Sequence, residues 1–307
     1  MHCYPDYYNE FQCIASKCRH NCCIGWEIDI DEDTLTRYEN TNDEFSHRFS
    51  ENISYEDVPH FILGENERCP FLNNKNLCDL ICKYSHDYLC DICKEHPRFH
   101  NELPGRVESG LGLCCEEAAR LILSKKDPVR LVYEKDIVES DEIIILRDKI
   151  IEMLQNRELG IEHRIEDVLK ICCAKCTDRT IPKWCDILLS LERMDESWGT
   201  MLEQLKATHS DIKYEEFDRY MADRIHEYEQ FCVYIIYRHF ANSPNLDDAK
   251  MRACFLNFAY AIVRALGAMI FTQTGSFDFE SQVEIVRLFS SEIEYSDENI
   301  HELFDLS

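Results

Sequence analysis

Eleven of the eighteen cysteines lie between Cys13 and Cys115. They are grouped as Cys13-x4-Cys18-x3-Cys22-Cys23, then Cys69-x8-Cys78-x3-Cys82-x7-Cys90-x2-Cys93, then Cys114-Cys115. Thiolates are ligands that suit zinc and iron–sulfur clusters alike. The pairs Cys18/Cys22 and Cys90/Cys93 can each bring two sulfurs to one metal. Adjacent cysteines such as Cys22-Cys23 rarely serve one site without strain, so they either feed two sites or leave one sulfur to packing. The group exceeds what one tetrahedral site uses and roughly matches two. A zinc site that only stabilises the fold is the plain alternative. His96-Pro97-Arg98 follows Cys93 closely and could set an imidazole and a guanidinium beside the metal, or simply form a turn with surface charges.

Outside this stretch, Cys172-Cys173-x2-Cys176 is a second cysteine group, on an apparent helix. It reads either as a further ligand set or as buried packing. Cys3, Cys185, Cys232 and Cys254 read as packing residues. The chain has no GxxxxGK[ST] phosphate loop and no GxGxxG after a strand, and Gly110-Leu111-Gly112 carries little weight. GxSxG and HExxH motifs are absent too.

The elements that position these groups divide into two styles. Residues 1–30 lack sustained helical periodicity, although Trp26 to Ile30 alternates apolar and polar like a short extended segment. Asp31-Glu32-Asp33-Thr34 resembles a helix start. Residues 40–68 are polar with scattered aromatics, and Pro70, Pro97, Pro104, Gly105, Gly110 and Gly112 interrupt residues 69–115 repeatedly. In such a stretch coordination is expected to replace much of the missing apolar core. Glu116 to Ser124 is a clear helix start. From about residue 137, apolar residues recur at helical spacing over Ile137–Gln155, Ile161–Cys176, Ile181–Leu205, Tyr214–Phe240 and Asp247–Thr272. Short helices are expected at Val283–Phe289 and Ile300–Leu306. With no alternation of strands and helices, no parallel sheet is expected. The fold class is mainly α: an irregular cysteine-rich N-terminal metal module over residues 1–125, packed on an α-helical body over 126–307.

Composition narrows the partners. The 307 residues are 45% hydrophobic and 30% charged, which is globular. The net charge of −26 argues against nucleic acid, whose phosphates demand a basic footprint. It suits solubility, or a protein partner with exposed lysines. The N-terminal MHCYPDYYNEFQC lacks a basic region followed by an apolar one, so no secretory signal is expected. The cytoplasm is then expected, where disulfides are rare and clustered cysteines point to metal or catalysis. The apolar run from Cys254 to Phe271 contains Arg264 and reads as a buried core helix, with no membrane partner.

The motifs Phe11-Gln12-Cys13-Ile14, Cys18-Arg19-His20-Asn21-Cys22-Cys23-Ile24-Gly25-Trp26, Ile28-Asp29-Ile30-Asp31, Cys69-Pro70-Phe71-Leu72, Leu77-Cys78, Cys93 with His96-Pro97-Arg98-Phe99, and Leu113 to Leu123 resemble, in order and spacing, the flagellin lysine-N-methylase family. The resemblance covers about residues 7–124, and Glu227 to Phe240 is similar to that family's helical half. The cysteine pattern also resembles a broader zinc- or iron-chelating cysteine-cluster family with no fixed activity. The methylase pattern implies Cys13, Cys18, Cys22, Cys23, Cys69, Cys78, Cys93 and Cys115 as metal ligands, with Cys82, Cys90 and Cys114 additional. It implies methyl transfer to lysine ε-amines of flagellin in the cytoplasm, with an iron–sulfur centre (a 4Fe-4S cluster, zinc being the alternative) and S-adenosylmethionine as donor. The three-cysteine CxxxCxxC loop is absent, because Cys18-x3-Cys22 is followed at once by Cys23, and a polar transfer would need carboxylates such as Glu116 or Glu117 to hold the amine and a base to deprotonate it. His96, Arg98 and Glu117 are the candidate catalytic residues, His96 as the base. The other readings are a non-catalytic zinc- or iron-binding module and an electron-transfer protein.

Overall fold

The computed structural model describes residues 1–134 and 141–306. It is mainly α-helical, with fourteen α-helices among the described residues. The chain forms two compact units, neither continuous in sequence. One comprises Gln12–Phe99 and Cys115–Glu117, the other Met1–Phe11, His100–Cys114 and Ala118–Ser307.

The cysteine-rich unit has an apolar core of its own. Tyr38, Phe49, Phe61 and Phe71 are each at most 2% exposed. Tyr38 stacks on Phe49 at 4.2 Å between centroids, and Phe61 and Phe71 approach at 5.1 Å. This corrects the expectation that coordination would stand in for a core. The aromatics are spread over an irregular stretch, so no period marks them, and only folding brings the rings together. Helix Glu32–Glu39 is capped by Asp31, whose carboxylate accepts the Thr34 N–H at 2.9 Å. The extended segment expected at Trp26–Ile30 is present: the Ile28 carbonyl accepts the Phe61 N–H and the Ile30 N–H reaches the Pro59 carbonyl.

The larger unit is built on helices and one small sheet. The strands run in the order Arg98–Leu103, Arg106–Leu111, His2–Pro5, Leu131–Tyr133. His2–Pro5 pairs parallel with Arg106–Leu111 and antiparallel with Leu131–Tyr133. No parallel sheet was expected from the sequence. A four-residue strand is too short to display alternation, and Pro104-Gly105, read only as a break, is the turn between two strands, with Gly105 at φ +77°.

The expected helices are present with other bounds: those before residue 240 are shorter or split, and the last three run longer. Helix Glu142–Leu154 covers the stretch expected from Ile137, a start that lies outside the described residues. The expected Ile181–Leu205 helix is two, Ile181–Ser190 and Glu196–Thr208, because Asp195 caps the second by accepting the Ser197 N–H at 2.8 Å. Helix His226–His239 is separated from Tyr214–Met221 by a tight turn at Ala222–Arg224. The long helix Leu246–Thr274 starts at Asn245, which accepts the Asp247 and Asp248 N–H groups, and stops at Gly275 in the left-handed conformation. It is the one helix among the described residues apolar and long enough to cross a membrane, yet 72% of its apolar window is buried inside the protein. Arg264 leaves that run through a 2.5 Å ion pair with Asp218.

Candidate metal centre

Within the cysteine-rich unit, short local structures aim the sulfurs. The backbone N–H of Cys69 bonds the Cys23 carbonyl at 2.8 Å, and Ile24 bridges Arg68, so the two cysteine segments lie side by side. Cys78 and Cys90 each occupy the N-terminal cap of a short helix, Asp79–Lys83 and Asp91–Glu95, and Cys93 lies within the second. The free backbone N–H groups of a helix start point at such a cap. The backbone N–H groups of Leu80 and Ile81 lower the Cys78 thiol, that of Cys93 lowers Cys90 and that of Phe71 lowers Cys69, although neither Cys78 nor Cys90 makes a capping hydrogen bond through its side chain.

Two thiol neighbourhoods result. The inner one holds Cys23, Cys69, Cys78, Cys90 and Cys93, whose sulfurs are close enough to act on one another electrostatically. Burial pushes the Cys69 thiol up to about 11, with Cys78 and Cys90 adding to the rise, although the Phe71 N–H opposes it. The hydrogen bond from the Cys93 thiol holds Cys90 low, and the same bond, with burial, holds Cys93 well above its ordinary value. The outer one holds Cys13, Cys18, Cys22 and Cys115. Burial, then Glu116, then Cys115, Cys13 and Cys22 push the Cys18 thiol up to about 12. Cys22 acts on both Cys18 and Cys23, and Cys69 and Cys78 act on Cys23. Cys114 and Cys115 also part company: Cys115 belongs to the cysteine-rich unit, while Cys114 is in the helical unit, hydrogen-bonded to Tyr295.

Of the eight cysteines the resemblance implied, Cys23, Cys69, Cys78 and Cys93 stand in the inner set and Cys13, Cys18, Cys22 and Cys115 in the outer. Cys90, counted as additional, is fully buried among the inner thiols. Its Cys90-x2-Cys93 spacing was the available signal. Cys82 is exposed. Among the described residues no three thiol, imidazole or carboxylate groups converge tightly enough to hold one ion as they stand. The donor set fits a thiolate-bound metal in its chemistry: buried sulfurs that raise one another's pKa, with N–H groups aimed at three of them, are groups that a cation would deprotonate and draw together.

Glu116, 1% exposed, accepts the backbone N–H groups of Arg19 and His20 at 3.1 and 3.0 Å. It therefore pins the loop that carries Cys18 and Cys22, a role sequence reading missed because the partners are backbone. His96 follows helix Asp91–Glu95 directly, its N–H bonded to the Ile92 carbonyl at 3.1 Å. It is half-buried, and burial pushes its imidazole down to about 4. Arg98 starts the strand Arg98–Leu103, and Glu117 lies in the first turn of helix Glu116–Leu123.

The Cys172–Cys176 group is not a ligand set here. Cys176 is joined to Cys254 by a disulfide with Cα atoms 5.2 Å apart. This corrects the packing role expected of Cys254. A sequence separation of 78 left no local signal. Cys3, Cys185 and Cys232 are fully buried, as packing residues are.

Residues 180–307 match the family described as the FliB lysine N-methylase C-terminal domain. The chain is 28% identical over 149 residues to the lysine-N-methylase of Salmonella typhimurium, a match covering 44% of this chain and 35% of that protein. The lysine-N-methylase of Salmonella choleraesuis matches with the same figures. The flagellar biosynthetic protein FliU of Salmonella muenchen is 28% identical over 138 residues, 43% of this chain and 82% of that protein. The match spans about a third of the length of the two lysine-N-methylases. No solved structure matches the chain. The similarity to the flagellin lysine-N-methylase family, carried in the sequence chiefly by the N-terminal motifs, thus extends to the C-terminal helices.

Proposed function

We propose that this chain is a protein-lysine N-methylase that acts on flagellin in the cytoplasm, with S-adenosylmethionine as methyl donor and an iron–sulfur centre held by the thiols of the cysteine-rich unit. The observation that carries the enzyme reading is the match of residues 180–307 to the lysine N-methylase C-terminal domain. The names of the similar proteins, a lysine-N-methylase and a flagellar biosynthetic protein, support flagellin as the substrate. The inner thiols support the centre, since Cys23, Cys69, Cys78, Cys90 and Cys93 offer more sulfurs than one four-ligand site needs. The outer set of Cys13, Cys18, Cys22 and Cys115 would hold a second group or complete the first. When bound, an iron–sulfur centre supplies redox or Lewis-acid chemistry.

The chemistry that falls to the protein is proton removal. A lysine ε-amine attacks the sulfonium methyl only after losing its proton, the new C–N bond forming as the C–S bond breaks. His96 is the candidate acceptor. Burial keeps its imidazole unprotonated at pH 7, the form a base requires. A base this weak passes the proton on readily but contributes modestly, at the low end of the ~10²–10⁴-fold typical of positioned bases. Glu117, in the first turn of helix Glu116–Leu123, is the candidate carboxylate to steady the amine.

The test is anaerobic purification followed by assay. Brown protein containing iron and sulfide, which adds 14-Da increments to flagellin lysines when given S-adenosylmethionine, is the expected result. Colourless zinc protein, inert on flagellin with and without reductant, would replace this reading with a metal-binding module. Brown protein that is inert under both conditions would replace it with electron transfer.

A further inference from the structure

We propose that Cys173, Cys176 and Cys254 form a thiol–disulfide exchange site, in which the bond between Cys176 and Cys254 passes to Cys173 and Cys176. Helix Ile161–Ile171 ends at Cys172, and Cys173 then takes φ +51°, the left-handed region that is costly for a residue with a β-carbon. This turn leaves Cys172 buried and Cys173 exposed. Cys173-Ala174-Lys175-Cys176 has the CxxC spacing, in which two thiols close readily into a disulfide. The ammonium of Lys250 pairs with Asp247 at 2.6 Å and acts more weakly on Cys173, and Lys250 stands four residues before Cys254 on helix Leu246–Thr274. Residues four apart share a helix face. One face of this helix therefore lies near Cys173 at one turn and is bonded to Cys176 at the next.

The step balances within the chain. Cys173 gives up its proton and its thiolate attacks the Cys176 sulfur. The Cys173–Cys176 bond forms as the Cys176–Cys254 bond breaks, the electron pair leaves on the Cys254 sulfur, and that thiolate takes up the proton. No external oxidant or reductant is consumed. The exchange moves a tether. The Cys176–Cys254 bond forms part of the wall of a cleft of about 280 Å³, lined also by Thr177, Arg179, Trp184, Asn257 and Phe258. After exchange, segment 176–179 is no longer covalently bound to the helix. Polar contacts remain, the Thr177 hydroxyl donating to the Leu306 carbonyl at 3.1 Å and Arg179 donating to the same oxygen. The wall of the cleft can then move away from Asn257.

The experiment uses the whole chain, with free thiols blocked by N-ethylmaleimide at pH 7 and at pH 8.5, then non-reducing digestion and tandem mass spectrometry. Both the Cys176–Cys254 and the Cys173–Cys176 linkages are expected in the wild type. Cys173→Ser, a change at an exposed side chain, is expected to keep the first and lose the second. Cys254→Ser, oxidised with diamide, is expected to contain Cys173–Cys176, and its backbone after Arg179 to be cut by trypsin several-fold faster than that of Cys173→Ser. Wild-type protein in which Cys173 is alkylated throughout at both pH values overturns the proposal. So does a Cys254→Ser variant that melts like wild type and forms no Cys173–Cys176 bond.

Discussion

At the scale of single residues, burial separates the inner thiols from Cys82. Cys90 is fully buried at the start of helix Asp91–Glu95, whereas Cys82 lies exposed on a neighbouring helix. Cys90→Ser should therefore lose as much iron or zinc as Cys69→Ser or Cys93→Ser, by elemental analysis, and Cys82→Ser should keep the full complement. Equal loss in all four would place Cys82 in the cage and remove the basis for excluding it. His96 sets a pH dependence with a definite sign. Its folded-state pKa of about 4 lies below the 6.5 of a free imidazole, so the unfolded chain takes up the proton first. Stability from this residue is complete above pH 6.5 and is lost as pH falls from there toward 4. The urea midpoint of wild type should fall between pH 7 and pH 5 more than that of His96→Gln. Parallel falls in the two proteins would show that this imidazole is not held neutral.

At the scale of elements, helices of the larger unit are tied by carboxylates buried beside paired arginines. Glu229, 1% exposed on helix His226–His239, accepts from Arg164 at 2.7 Å and from Arg157 at 2.7 to 3.2 Å. Arg164 also donates to the carbonyls of Leu154 and Leu159, so one side chain gathers the end of one helix, the following loop and a third element. Glu108 does the same for the sheet, accepting two 2.7 Å bonds from Arg147 and pairing with Arg106. Such pairs gain little over apolar packing, but removing one partner strands a buried charge. Glu229→Ala should cost about 3–5 kcal/mol of unfolding free energy in a denaturant titration. A loss below about 1 kcal/mol, the range of surface pairs, would mean that water reaches Arg164.

At the scale of the whole molecule, a net charge of −26 faces the proposed lysine-bearing substrate. Raising salt from about 0.05 to 0.5 M should lower kcat/KM for flagellin while leaving the KM for S-adenosylmethionine nearly unchanged, because screening acts on the long-range encounter. An unchanged kcat/KM would confine recognition to short-range contacts. Much of the chain was legible without coordinates. Helical periodicity marked the C-terminal body, Arg264 marked the apolar run as a core helix, and cysteine spacing marked the thiol-rich unit, because each is a local pattern written in one stretch of chain. Three features were not local. The parallel pairing of His2–Pro5 with Arg106–Leu111 joins strands a hundred residues apart, each too short to show a period. The Tyr38, Phe49, Phe61 and Phe71 core gathers rings from an irregular stretch. The burial of Cys90 and the pairing of Cys176 with Cys254 depend on where the backbone turns each sulfur. Residue type determined that these thiols could bind metal or pair; the close packing of distant segments decided which sulfurs meet.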